Sequence, residues 1–138
     1  MPEDEILNAY QKTDYIVFDG KKSFLLNVGL LPNEEWINYL KSRECNFFFF
    51  ITAWNPFSIP HDPLENRYKN QILESEIQKQ EFPYLMGLGK SQTSEWEEES
   101  FCVLGGNLEI ASRFCRDYSQ HAVLIGEPNK APELHFPH

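Results

Sequence analysis

Phe47-Phe48-Phe49-Phe50-Ile51-Thr52-Ala53-Trp54-Asn55-Pro56-Phe57-Ser58 begins as an unbroken apolar run and ends in a polar turn stopped by proline. Aromatic and β-branched residues dominate it and no alternation is present, which predicts a strand buried on both faces. Pro56 has no N–H to give to a sheet ladder, so pairing should stop near Asn55. The strand thereby delivers Thr52, Trp54 and Asn55 to one sheet edge, a place where sheet proteins often build pockets.

Toward the N-terminus, residues 2–12 predict a short helix with Ile6, Leu7 and Tyr10 on one side and acids in the first turn. Two β-rich runs, 15–18 and 23–28, flank Asp19-Gly20, which predicts a hairpin. Asn33 is the expected N-cap of the next helix, with Glu34 and Glu35 at its positive end and Trp36, Ile37 and Leu40 facing inward.

Toward the C-terminus, Asp62-Pro63 reads as N-cap and first residue of a helix running to about residue 80. Residues 84–88 predict a short strand, and residues 90–97, polar and without period, a mobile loop. A strand at 101–104 leads through Gly105-Gly106 into a helix capped by Asn107. That helix is amphipathic, with Ile110, Ala111, Phe114 and Tyr118 inward. The last strand is 122–125. Residues 128–138 carry three prolines and are expected to be extended or loosely packed.

The expectation is an α+β fold: a single domain over residues 1–127, then a Pro-rich tail at 128–138. The sheet is expected to be mixed, with helices packed on it, in the order α-β-β-α-β-α-β-β-α-β and with the Phe-rich strand central.

Apolar residues make up 41% of the 138, and eleven are Phe, enough for an aromatic core. The net charge of -9 opposes non-specific nucleic-acid binding, which needs Lys and Arg to neutralise phosphates. It suits a basic protein partner. The three cysteines are odd in number and form no CxxC, so neither a disulfide framework nor a zinc site is expected. Met1-Pro2-Glu3-Asp4-Glu5 lacks the apolar core of a signal peptide, and no run approaches the length of a membrane span. These features predict a cytoplasmic protein. An unpaired edge strand in so aromatic a chain also admits a homodimer.

Residues seven and eleven apart on a helix lie within about 20° of one another. Asn66 therefore shares the inward face of Leu73 and Ile77, and an inward amide needs partners. It either ties down the Pro56 loop or lines a pocket with Thr52, Trp54 and Asn55. Strand alternation should send one of Glu98 and Glu99 toward the helix-covered sheet face. A carboxylate there is a candidate acid or base, with Arg67 as a partner. His121 is a third catalytic candidate because its ordinary pKa lies near neutrality. Gln120 faces the same region or caps the preceding helix. No GxSxG, HExxH or P-loop is present, and no cofactor or metal is expected.

Ile51-Thr52-Ala53-Trp54-Asn55-Pro56, then Asn66, then Glu98-Glu99-Ser100-Phe101, then Gln120-x-Ala122-Val123, resembles a family of small, mostly bacterial proteins of unknown function with an ITAxNP-type segment. The resemblance spans about residues 10–126. It implies a cytosolic bacterial α+β protein and no particular reaction. By analogy, the family-like polar positions are Thr52, Asn55, Asn66, Glu99 and Gln120. The 90–97 segment and the tail have no counterpart in that pattern.

Two functions fit these residues. In the first, a pocket at the end of the Phe-rich strand holds a small polar ligand, with amides orienting it and Glu98 or Glu99 accepting a hydrogen bond or moving a proton. In the second, the chain is an acidic interaction or regulatory module, with Trp96 exposed amid acids as a hot spot. Whether the chain is an enzyme is left undecided by the sequence.

Overall fold

The computed structural model describes residues 3–138, and the expected start of the first helix at Pro2 lies outside that range. Helix α1 is Glu3–Gln11. Strands β1, Thr13–Asp19, and β2, Lys22–Leu26, form the Asp-Gly hairpin, with Gly20 at φ 59°. Helix α2 is Glu34–Ser42, and the Asn33 side chain accepts from Trp36 N at its start. Strand β3 is Phe48–Ile51. A 3-10 turn at Pro56–Ser58 leads to helix α3, Pro63–Lys79, whose N-cap Asp62 accepts from Leu64 N. Strands β4, Tyr84–Ser91, and β5, Glu97–Leu104, precede helix α4, Leu108–Asp117, and strand β6, Val123–Gly126.

The α+β class and the element order agree with the sequence reading. Three details differ. With a last strand β7 at Glu133–His135, the sheet is antiparallel at every pairing rather than mixed, in the order β2-β1-β4-β5-β3-β6-β7. Each helical crossover skips a strand: β5–α4–β6 straddles β3, and β3–α3–β4 straddles β5. No two parallel strands are therefore neighbours. Within the polar 90–97 segment the loop is confined to 92–96, because β4 and β5 pair from Tyr84↔Val103 out to Lys90↔Glu97 and take its two ends into the ladder. Backbone pairing there needs no apolar pattern, so the sequence carries no trace of it. The tail adds strand β7, Glu133–His135, on the edge of β6.

Residues 48–126 form β-α-β-β-α-β with strand order β4-β5-β3-β6. This is the split-βαβ arrangement of ferredoxin-like folds. Its two helices share one face. Leu73 and Ile77 of α3 and Ala111, Phe114 and Cys115 of α4 pack there against Phe49, Ile51, Phe101, Val103 and Val123. The other face is covered by α2, through Trp36 and Leu40, over Phe48, Phe50, Cys102 and Leu124. Both faces of β3 are buried along its whole length, which is why its apolar run does not alternate. All three cysteines are buried and free.

Two glycines admit the large rings of the α2-covered face. The Phe48 ring packs on Gly126 and the Phe50 ring on Gly87, where a Cβ would come 2.7 Å from Phe50 Cε2. Trp36 stands edge-on to Phe48 at 5.3 Å, and Tyr15 edge-on to Phe50 at 5.1 Å. Such pairs add about 0.5–1.5 kcal/mol each beyond their buried area.

Candidate functional site

Even-numbered residues of β5 face the α1–α2 side and odd-numbered ones the α3–α4 side: Cys102 and Leu104 pack in the first core, Phe101 and Val103 in the second. Alternation therefore separates the adjacent glutamates. Glu98 points to the α1–α2 side. Glu99 is exposed, and its backbone carbonyl accepts from Thr52 Oγ1 at 2.6 Å and Asn70 Nδ2 at 2.8 Å.

Across the ladder Glu98 stands opposite Gly89, and Gly89 opposite Tyr15. The missing side chain at Gly89 leaves a gap in the row Tyr15–Gly89–Glu98. Helix α1 roofs this gap with Ile6, Ala9 and Tyr10. The β4–β5 turn contributes Trp96, the loop after β3 contributes Asn55, Ser58 and Pro60, and Gln120 closes the far side. They enclose a cavity of about 260 Å³. A smaller recess of about 40 Å³ continues it down to Tyr15, Phe50 and Thr52. This volume matches a ligand smaller than a drug-sized molecule.

Glu98 is half-buried, and its carboxylate forms no hydrogen bond or ion pair among the described residues. Loss of solvent pushes its pKa up to about 7. Burial, and next the Glu98 charge, raise the Tyr10 hydroxyl above its ordinary value. Burial likewise raises Tyr15, whose Oη has no hydrogen-bond partner among the described residues. The Gln120 amide nitrogen donates to Trp54 O at 3.3 Å and Tyr118 O at 3.1 Å. Thr13 Oγ1 donates to Ala9 O at 2.6 Å, anchoring the end of α1.

The loop carrying Asn55 is conformationally costly. Asn55, Phe57 and Ser58 all lie in the left-handed region, at φ 43°, 52° and 62°. It is held from α3. Asn66 is fully buried, accepts from Asn55 N at 2.9 Å, and donates to Asn55 Oδ1 at 2.7 Å. Asn55 Oδ1 also accepts from His61 N, and Phe57 N donates to Ser119 O. A second buried amide, Asn70, accepts from Ala53 N at 2.8 Å. Asn66 thus spends its side chain on the loop and does not border the cavity.

The remaining sequence candidates scatter. Thr52 borders the recess, and its Oγ1 accepts from Trp54 N. Trp54 touches the site only through its carbonyl, bonded to Gln120. Arg67 is exposed on α3, and no ion pair joins it to either glutamate among the described residues. His121 packs against Phe57 at 5.3 Å, its Nε2 buried and without a partner among the described residues. It borders neither the cavity nor the recess.

Tyr10, Tyr15, Thr13, Gly89 and Trp96 were not part of the sequence-derived site. Their signal was misleading: Tyr10 reads as a core-facing helix residue, and Tyr15 as a strand residue. Gly89 could have been found as a glycine inside an otherwise β-rich run.

No group of His, Cys, Asp and Glu among the described residues is placed to hold a metal. Among the described residues, no helix is long and apolar enough to cross a membrane.

No curated protein and no solved structure matches the chain. A family model described as a protein of unknown function (DUF3293) matches residues 51–123, more than half of the chain, from the end of β3 to the start of β6. That stretch holds the strained Asn55 loop, both buried asparagines, Gly89, Glu98 and Gln120, and on its extent the chain belongs to the DUF3293 family.

Proposed function

We propose that this protein binds a small polar ligand in the cavity between α1 and the exposed end of the β3–β5 ladder, with Glu98 as its central polar group. One observation carries the reading. Glu98 lies in a largely apolar enclosure, and its desolvation has no compensating bond among the described residues. An unpaired carboxyl of this kind costs stability, and such costs concentrate where a ligand repays them. The partnerless Tyr15 hydroxyl in the adjoining recess supports the same reading. So does the strained loop held by Asn66. Asn55 and Gln120 border the cavity and orient the ligand, while Asn66 acts through Asn55. A carboxyl titrating near neutrality is also able to move a proton, so an acid–base reaction lies within the reach of this site.

We read the protein as cytosolic and bacterial. The three buried free thiols, the acidic surface and the resemblance of its motifs support that setting. The acidic interaction module is the second reading, favoured by Trp96, which is 37% exposed at the tip of the β4–β5 turn.

Native mass spectrometry of gently purified protein tests the pair. A retained small molecule that is absent from a Gly89→Phe variant, whose ring would fill the gap, supports the pocket. A retained protein or a homodimer carrying no small molecule moves the weight to the interaction module.

A further inference from the structure

The charge inside the cavity is one-sided. Among the described residues, neither the cavity nor its recess is bordered by Lys, Arg or His, and Glu98 is the one charged residue on their walls. Two of the neutral donors are already spent: Thr13 Oγ1 donates to Ala9 O, and both Gln120 amide bonds go to backbone carbonyls. Asn55 Nδ2, Ser58 Oγ and Trp96 Nε1 remain as neutral donors, and the acceptors without a partner among the described residues are the Glu98 carboxylate and Gln120 Oε1. Tyr15 Oη, nine-tenths buried and partnerless, adds a hydroxyl that can accept. Four π-rich side chains stand around these atoms: Tyr10, Tyr15, Trp96 and, in the recess, Phe50. Rings and a carboxylate together form a setting that favours positive charge. An anion would meet no cationic donor there and would be repelled by Glu98.

We propose that the ligand is a small organic cation, a protonated or quaternary amine, held by Glu98 among the rings of Tyr10, Tyr15 and Trp96. This rests on the reading of the cavity as a binding site and names the chemical class it takes.

A cation in this position would hold Glu98 ionised, so binding should release a proton near neutrality. The titratable groups facing Glu98 are Tyr10 from α1 and Tyr15 from β1, and both stay neutral in this range. From β4 only Gly89 stands opposite. Lys90 and Glu97 turn to the other face of the sheet. The pH response of binding therefore belongs to Glu98.

The test is a titration of the full chain with three probes of similar size: n-butylammonium, the neutral n-butanol and the anionic butyrate. The readout is the Gly89 amide and the Trp96 indole resonances, with Glu98→Gln alongside. The expected result is saturable binding of the ammonium probe alone, weakening roughly tenfold per pH unit below 7. In Glu98→Gln that binding should fall at least tenfold and lose its pH dependence. Equal or tighter binding of the alcohol or of butyrate would overturn the cation assignment while leaving the cavity a ligand site. Silence from all three probes would overturn both readings. Ammonium binding that is unchanged in Glu98→Gln would also remove the assignment, because the carboxylate would then not be its seat.

Discussion

Asn55 and Asn66 hold one another through a reciprocal pair of bonds, Asn55 N to Asn66 Oδ1 at 2.9 Å and Asn66 Nδ2 to Asn55 Oδ1 at 2.7 Å. The pair pins a loop with three left-handed non-glycine residues to a helix on the opposite side of the sheet from the cavity. Asn66→Ala should strand the half-buried Asn55 N–H, while Asn55 Oδ1 keeps its bond from His61 N, and cost about 1–3 kcal/mol. The expected measurement is a lower urea midpoint with an unchanged slope. Full retention of stability would show that the loop is held by something else.

Gly87 and Gly89 sit two residues apart on the same face of β4 yet should respond oppositely to a side chain. At Gly87 a Cβ would meet Phe50 at 2.7 Å and the Ile16 carbonyl at 3.2 Å. Gly87→Ala should lose about 1–3 kcal/mol by overpacking. At Gly89 nothing comes nearer than 4.0 Å. Gly89→Ala should hold stability or gain about 0.5–1 kcal/mol from reduced chain entropy. Thermal unfolding of both variants checks the contrast.

Glu98 makes stability depend on pH in an unusual direction. Its pKa rises from 4.5 in the unfolded chain to about 7 in the folded one. Between these values the unfolded chain binds fewer protons than the folded one, so stability falls as pH rises from 4.5 to 7 and then levels off. The loss is on the order of 3 kcal/mol. Glu98→Gln should abolish this slope and be more stable than the parent at pH 8. Denaturant titrations at pH 5 and 8 decide it, and a parent whose stability instead climbs over that window would refute it.

Helix α1, which roofs the cavity, has no fully buried residue. Its tertiary hold includes the edge-on contact of Tyr10 with Phe136 at 6.2 Å. Phe136→Ala should weaken that hold by about 0.5–1.5 kcal/mol. The α1 amides should then exchange faster with solvent while those of α4 do not change. Equal rates in parent and variant would show that α1 is anchored elsewhere.

The elements with a strong pattern were legible in the sequence. The Phe-rich strand, the Asp-Gly hairpin, the Asn33, Asp62 and Asn107 caps and the amphipathic α4 are where local chemistry predicts them. The outer half of the β4–β5 ladder and β7 were not legible, because backbone pairing at a sheet periphery asks little of the side chains. The site was half legible. Thr52, Asn55, Gln120 and one of two glutamates border the cavity, whereas its aromatic wall comes from α1, β1 and a turn far away in the chain.

By itself, the sequence determined the α+β class, the buried central strand and the inward amide at Asn66. Each follows from a local period or a spacing on one helix, and such periods act within a few residues. Only the tertiary structure decided which glutamate turns inward, that Asn66 braces the Asn55 loop, and that Gly89 opens a gap between Tyr15 and Glu98. The first and last depend on cross-strand register, which joins Tyr15 to Gly89 across more than seventy positions, and the brace depends on how α3 docks beside the loop; neither leaves a local trace.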